Sequence, residues 1–328
     1  MGEAPAAQPI IGFHASHEQF GPHRLLRLVQ AAEAAGFDAA MCSDHWAPWS
    51  DEQGESGFAW SWLGAALQAT SLPFGVVNAP GQRYHPALIA QAAATLNVMF
   101  PDRFWVALGS GQLLNEHITG GRWPPKAERN QRLREAADVM RRLWAGETVT
   151  HRGHVTVSEA RLWTRPRRAP LLVGAAVTAE TAGWVGEWAD ALITVGQERD
   201  QLQRVVDAFR AGGGADQPMY LQVHLAWAPS EAEARDAAFG QWRQNTLPNS
   251  VMTELAHPAQ IAAAASNVTA ADLDGAVRIS ASLEQHAEWL REDLAMGFAG
   301  LFLHEVGPDQ ERFVDVFGSE VLPAVRSR

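Results

Sequence analysis

Polar residues capable of chemistry cluster in this sequence where short apolar runs end. His14-Ala15-Ser16-His17-Glu18 follows the first run and Ser43-Asp44-His45-Trp46, with Trp49, the second. Asn78 follows the third, Gly109-Ser110-Gly111-Gln112 with Asn115 and Glu116 the fourth, and His304-Glu305 the last. An imidazole exchanges a proton near neutral pH, and a carboxylate that meets it biases its charge, so Asp44-His45 is the sharpest candidate for acid–base work. Neighbours on an extended segment point to opposite faces, and the alternative is a His packed under a loop beside an Asp that caps a turn. Gly109-Ser110-Gly111 lets a flat ligand approach the backbone, but without a third glycine or a P-loop lysine it argues against a nicotinamide Rossmann site or an NTPase. A tight turn is its plainer reading. His14, His17, Asp44, His45 and His304 are metal-ligand types, yet His14 and His17 are three apart rather than a His-x-His pair on one strand face. Cys42 has no base identifiable as its partner and reads as a small buried apolar residue.

The elements that must position these groups alternate along the chain. Pro9–Phe13, Asp38–Met41, Leu72–Asn78, Phe104–Leu108, Pro170–Gly174, Ala191–Val195, Met219–Val223 and Leu301–His304 read as strands. Helical spacing follows most of them: Pro22–Ala35, Pro86–Met99, Glu128–Trp144, Thr178–Ala189, Asp200–Ala211, Glu231–Trp242, Leu283–Met296 and Gln310–Phe317. A hairpin is expected around Arg152-Gly153. Strands that each feed a helix of about ten residues make βαβ units, and eight of them suit a closed (β/α)8 TIM-like barrel. One domain over residues 1–328 is expected, with a helical insertion from Thr246 to Ser280 before the last strand. In such a barrel ligands bind at the carboxyl ends of the strands, where the polar groups fall.

Composition narrows the classes. The 328 residues carry 26 Lys+Arg against 37 Asp+Glu, a net charge of −11, which argues against nucleic-acid or anionic-membrane partners. One cysteine excludes an intramolecular disulfide framework and fits a reducing cytoplasm. No stretch reaches the roughly 18 apolar residues of a membrane span, and Met1–Pro9 lacks the order of a signal peptide. Trp outnumbers Tyr by 13 to 2, and Trp faces suit flat-ligand pockets as well as cores.

The order of motifs resembles the bacterial-luciferase-like flavin oxidoreductases, and within them the deazaflavin (coenzyme F420)-dependent glucose-6-phosphate dehydrogenase type. The resemblance rests on Ala15–Phe20, Ser43–Trp49, Arg83–Pro86 with Ile89–Ala92, Gly109–Gly111 with Leu114–Glu116, and Asp309-Gln310 with Arg312-Phe313. It implies a barrel that binds FMN or F420, with FMN taken first. It further implies that Asp44 contacts the ring, that His45 is the base, and that Trp49 walls the site or stabilises charge. Asn115 would touch the ring edge or its ribityl chain, and Glu18 would shape the substrate pocket. Val76-Val77 would bend through a cis peptide behind the ring. Gly109, Ser110 and Gly111 would line the cofactor, with Ala175, Ala176 and Thr194 near its phosphate.

Two departures are informative. Gln112 stands where the sugar-phosphate dehydrogenases carry a proton-exchanging glutamate. Gln197-Glu198 replaces an expected phosphate-binding lysine, which leaves Arg278 as the candidate cation and points to a small, non-phosphorylated substrate. The pocket walls are expected on loops bearing Trp46, Trp49, Trp60 and Trp123. Two other readings stand beside hydride transfer or monooxygenation: a metal-dependent barrel hydrolase using His14, His17, His45 and His304, and a non-catalytic flavin-binding protein. A homodimer through an apolar helix face is a further expectation from the family.

Overall fold

The computed structural model describes residues 8–327; the stretch Met1–Ala7, most of the segment read for a signal peptide, lies outside them. Its strands, in chain order, are β1 (Ile10–Ala15), β2 (Ala39–Ser43), β3 (Phe74–Asn78), β4 (Phe104–Leu108), β5 (Val149–Arg152) and β6 (Thr156–Ala160). There follow β7 (Leu171–Ala175), β8 (Ala191–Val195), β9 (Met219–Ala226), β10 (Arg278–Ile279) and β11 (Gly300–Glu305). Buried on both faces, the barrel strands need continuous apolar runs; Phe104-Trp105-Val106-Ala107-Leu108 is buried throughout.

The parallel order β9-β11-β1-β2-β3-β4-β7-β8 closes through a β8–β9 pairing into an eight-stranded (β/α)8 barrel. β5 and β6 form the expected antiparallel hairpin outside it. β9 is longer than its neighbours: its first half pairs with β8, and its end pairs with the short β10. The segment read as a helical insertion holds the short helices Asn249–Met252 and Pro258–Ala264 and then β10, which the sequence reading missed. Also missed was the helix Ala59–Ala69. It has no side-chain cap, and small apolar residues, Gly64 and Ala65, stand on its outward face, so it carries little amphipathic signal.

Two of the four apolar clusters among the described residues build the barrel. The larger lies between the strands and the outer helices, as where Leu25, Leu28, Val29 and Ala32 of helix Pro22–Ala34 turn one face inward. The smaller plugs the barrel with Met41, Trp105, Ala107, Val173, Ile193 and Phe302. Trp105 stacks on Tyr220 with ring centroids 5.7 Å apart and meets Phe302 edge-on at 5.6 Å. Strand alternation then continues the inward columns above this plug: after Gly12 comes His14, after Phe302 His304, and after Tyr220 come Gln222 and His224. The barrel interior therefore turns polar at its carboxyl end on the β1, β11 and β9 side.

The plug depends on Gly75, where a Cβ would lie 1.9 Å from the Trp105 ring. Gly75→Ala should cost about 1–3 kcal/mol of stability by overpacking. Gly64→Ala, on a helix face with nothing within 4 Å of the added carbon, should be neutral or stabilising. Thermal unfolding of the two variants beside the parent measures the difference.

Candidate active site

A cavity of about 1340 Å³ opens at the carboxyl ends of the strands, and Glu18, Asp44, His45, Trp49, Gln112 and Asn115 all line it. Asp44 and His45 leave β2 together but do not pair. The Asp44 carboxylate turns inward, where Oδ2 accepts from Asn78 Nδ2 at 2.7 Å and Trp60 Nε1 at 3.1 Å. Tyr84 donates its hydroxyl to Oδ1 at 3.3 Å, and the Arg83 guanidinium lies 3.5 Å from Oδ2.

His45 instead faces Glu18, whose Oε1 lies 2.9 Å from Nδ1 in a close contact bent off hydrogen-bond alignment. Ser16 Oγ donates to the other Glu18 oxygen at 2.9 Å. Burial alone would push this carboxyl up; the facing His45 imidazole, and His14 behind it, outweigh burial and hold it down at about 2. Trp49 meets the His45 ring edge-on at 4.9 Å. With Nδ1 facing Glu18, Nε2 is the nitrogen left for a ligand. This is an oriented base of the kind that proton abstraction needs.

The β4 loop supplies the next wall. Asn115 Oδ1 accepts from Trp46 N at 2.8 Å and so ties the loop after β2 to the loop after β4. Gln112 accepts weakly from Asn115 at 3.4 Å. Glu116 beside it accepts from Arg83 N at 2.6 Å, and burial pushes its carboxyl up. Gly109, Ser110, Gly111, Ala175, Ala176 and Thr194 come together along one side of the cavity. Gly111 has φ +85°, and a Cβ there would press on Glu116 and Trp123 at 3.2 and 3.3 Å. Asn78 Oδ1 and Thr194 Oγ1 are buried without partners. Small side chains beside unpartnered buried polar atoms fit a flat ligand with polar edges.

Several expectations are corrected. The Val76–Val77 peptide is trans, because both residues sit in regular parallel register with β2 and β4; Val77 lines the cavity while Val76 points into the outer core. Of the four tryptophans placed around the pocket only Trp49 lines it. Trp60 is a buried donor to Asp44, Trp46 is 55% exposed and Trp123 packs behind Gly111; Trp184 and Trp242 take wall positions instead. The hydrolase set does not assemble: His17 bonds the Gly57 carbonyl, His45 pairs with Glu18, and no metal-ligand cluster forms among the described residues. Arg278 does not reach the cavity; it grips Asp293 through two contacts of 2.5 and 2.7 Å.

The sequence reading overlooked Gln222, His224, Asn245 and Lys126, which also line the cavity. Lys126 is the only lysine in the chain, and its Nζ donates to Ser110 Oγ at 2.7 Å. No helix among the described residues is long and apolar enough to cross a membrane.

A family model described as luciferase-like monooxygenase matches residues 7–299. The chain belongs to that family. As a luciferase-like family member it is an oxidoreductase. It is 34% identical to an F420-dependent glucose-6-phosphate dehydrogenase of Microbacterium testaceum, with 97% of each chain covered. Among solved structures it is similar to an F420-dependent secondary alcohol dehydrogenase in complex with an F420-acetone adduct: TM-score 0.89, 29% identity, 97% of this chain and 99% of that one covered. A riboflavin lyase with modified FMN shares the fold at TM-score 0.75 and 16% identity, covering 97% of this luciferase-like chain and 91% of its own.

Burial at the cavity floor has a pH signature. Loss of hydration lowers His14 to about 4 and His224 to about 3, from 6.5. Below pH 6.5 the unfolded chain takes up these protons first, so stability falls as pH drops from 6.5 toward 4. Each imidazole contributes up to about 1.4 kcal/mol per pH unit. Urea titrations at pH 7, 6 and 5, followed by Trp fluorescence, should show the loss, and His224→Gln should make it shallower.

Proposed function

We propose that the protein is an F420-dependent dehydrogenase that oxidises a small, uncharged secondary alcohol, with His45 as the base. The observation that carries this reading is the Glu18–His45 pair at the wall of a cavity that also holds the Gly109–Gly111 loop. The cofactor choice rests on relatives of about one-third identity that are named as F420-dependent. FMN, taken first from the sequence, has its instance at 16% identity, a level that speaks for fold alone.

When bound, the deazaflavin supplies a ring that accepts a hydride from carbon. The residues available to hold it are Asp44, Val77, Asn78, Asn115, Gly109, Ser110, Gly111, Ala175, Ala176 and Thr194. Lys126, beside Ser110, offers a cation to an anionic tail. His45 Nε2 receives the proton of the substrate hydroxyl while Glu18 holds the ring and stabilises the imidazolium. Trp49 fixes the other edge of the imidazole.

The relatives' names specify glucose 6-phosphate, whereas the features of this chain support a substrate without phosphate. Gln197-Glu198 is uncharged or acidic where a lysine was expected, and Arg278 is engaged by Asp293. Arg83 is held by Asp44 and Glu116, and Arg129 by Glu254. A dianion leaving water would find few free donors on the His45 side; Arg204, which carries no ion pair among the described residues, lies beside Glu198 and Gln201 instead.

Fluorescence titration with F420 and with FMN tests the cofactor: F420 should bind in the micromolar range, and binding of neither defeats the proposal. His45→Ala should keep F420 affinity within about tenfold, or ~1.4 kcal/mol, and lose roughly 10²–10⁴-fold in turnover. Equal losses of binding and turnover would instead assign His45 to the cofactor.

A further inference from the structure

The carboxyl end of β9 carries two inward polar residues in succession, Gln222 and His224, on the cavity wall three strands round the barrel from His45. Neither is a charged anchor: loss of hydration keeps His224 neutral, and the same holds for His304 and His14 beside it. Such a wall recognises through the direction of its hydrogen bonds alone, and that direction can be traced.

The chain of bonds starts at a backbone carbonyl, whose polarity is fixed. Gln19 Nε2 donates to Val306 O at 2.8 Å and to Gln241 Oε1 at 3.1 Å, so its oxygen is the atom that faces His304 Nε2 at 2.9 Å. An acceptor there requires the His304 proton on Nε2. A neutral imidazole then has a lone pair on Nδ1, which faces Gln222 Nε2 at 3.5 Å. Gln222 Nε2 also lies 3.2 Å from His224 Nε2. Holding the amide nitrogen inward makes His224 Nε2 an acceptor and puts the His224 proton on Nδ1.

That proton meets the Asn245 amide, whose nitrogen is placed 3.2 Å away and also 3.3 Å from Ala276 O. Two donors cannot face each other. One of the two amides must turn, since oxygen and nitrogen of an amide are assigned from their neighbours. Turning Gln222 would set its oxygen against the buried lone pair of His304, where no solvent relieves it. Turning Asn245 sets its oxygen 3.3 Å from Ala276 O, but at a half-buried position where water can bridge two acceptors, so Asn245 is the amide that turns.

From this we infer that Gln222 is a specificity residue: its Oε1, with no partner among the described residues, accepts a hydrogen bond from a second hydroxyl of a neutral, polyhydroxylated substrate. Gln222 Oε1 takes a hydrogen bond and offers none, so this part of the wall suits a group that donates, such as OH. Phosphate and carboxylate groups, which only accept, are opposed by Gln222. The inference deepens the dehydrogenase reading and rests on it for turnover, while the proton positions stand independently.

Both parts are testable. In the protein without added ligand, nitrogen-15 NMR of the histidines at pH 7.5 should show the Nε2–H form at His304 and the Nδ1–H form at His224. The Nε2–H form at His224 overturns the inference, because Gln222 would then present its nitrogen to the cavity. In the F420-loaded protein, kcat/KM for 2,3-butanediol should exceed that for 2-butanol at least tenfold, with the difference in KM. Gln222→Leu, or the closer-sized Gln222→Met should the first fail to fold, should reduce that ratio to within about twofold of one while F420 still quenches. An unchanged ratio in the variant, no diol preference in the parent, or no turnover of either alcohol by loaded protein overturns it. Failure of the parent to bind F420 defeats the cofactor reading instead and leaves the NMR result to decide the orientation of Gln222.

Discussion

A carboxylate taken out of water has to be surrounded by donors, and the upper rim of this barrel is built around meeting that demand at Asp44. The donors come from three separate segments: Trp60 from the helix after β2, Asn78 from the end of β3, and Arg83 with Tyr84 from the turn beyond. Removing one partner of a buried charge costs about 3–5 kcal/mol, so these segments are coupled. Asp44 N also donates to Val77 O at 2.9 Å, which continues the β2–β3 ladder past the end of β2. Arg83 carries the constraint to Glu116 in the β4 loop. The position of His45 follows, since it is the next residue along a chain clamped on both sides.

A second polar system begins on the turn after β1, where consecutive residues serve different ends of the cavity. Glu18 faces His45, and Gln19 reaches His304. The turn thus ties the candidate base to the uncharged wall of β9. Across the cavity, the β4 side holds Ser110 and the single lysine, so the lining is electrically unequal: cationic near Gly109–Gly111 and neutral near Gln222. Such an inequality orients an elongated ligand with an anionic tail before any close contact forms.

The eight strands were legible because a strand buried on both faces must be a continuous apolar run, and the helices with one-sided patterns were legible from their spacing. The helix Ala59–Ala69 was not, since its outward face includes Gly64 and Ala65 and so gives little polar contrast to mark its period. The convergence of Asp44, His45, Gly109–Gly111 and Asn115 could be read because a barrel brings the ends of its strands together. Which carboxylate faces His45 could not: adjacency pointed to Asp44, while the partner is Glu18, from the turn after β1. The polar column on β9 did leave a signal. Tyr220, Gln222 and His224 alternate with Leu221, Val223 and Leu225, a period-two pattern that places the polar members inside once the plug residue Tyr220 is known to face inward. Ending that strand at Val223 hid it.

The departures from the sugar-phosphate pattern can then be treated as one change in electrostatics instead of separate losses. Where a substrate brings two negative charges, cations must be held unpaired and partly dehydrated at the wall, an arrangement that is itself unstable without the ligand. Here Arg83, Arg129 and Arg278 are each closed onto a carboxylate, and the three floor imidazoles are held neutral by burial. The interior thereby avoids stored repulsion, and the carboxylate that faces His45 directly is Glu18. In a low-dielectric cavity that contact is stronger than it would be beside a cluster of competing cations. A neutral β9 wall and a carboxylate-faced imidazole after β2 are consequences of the same economy of charge.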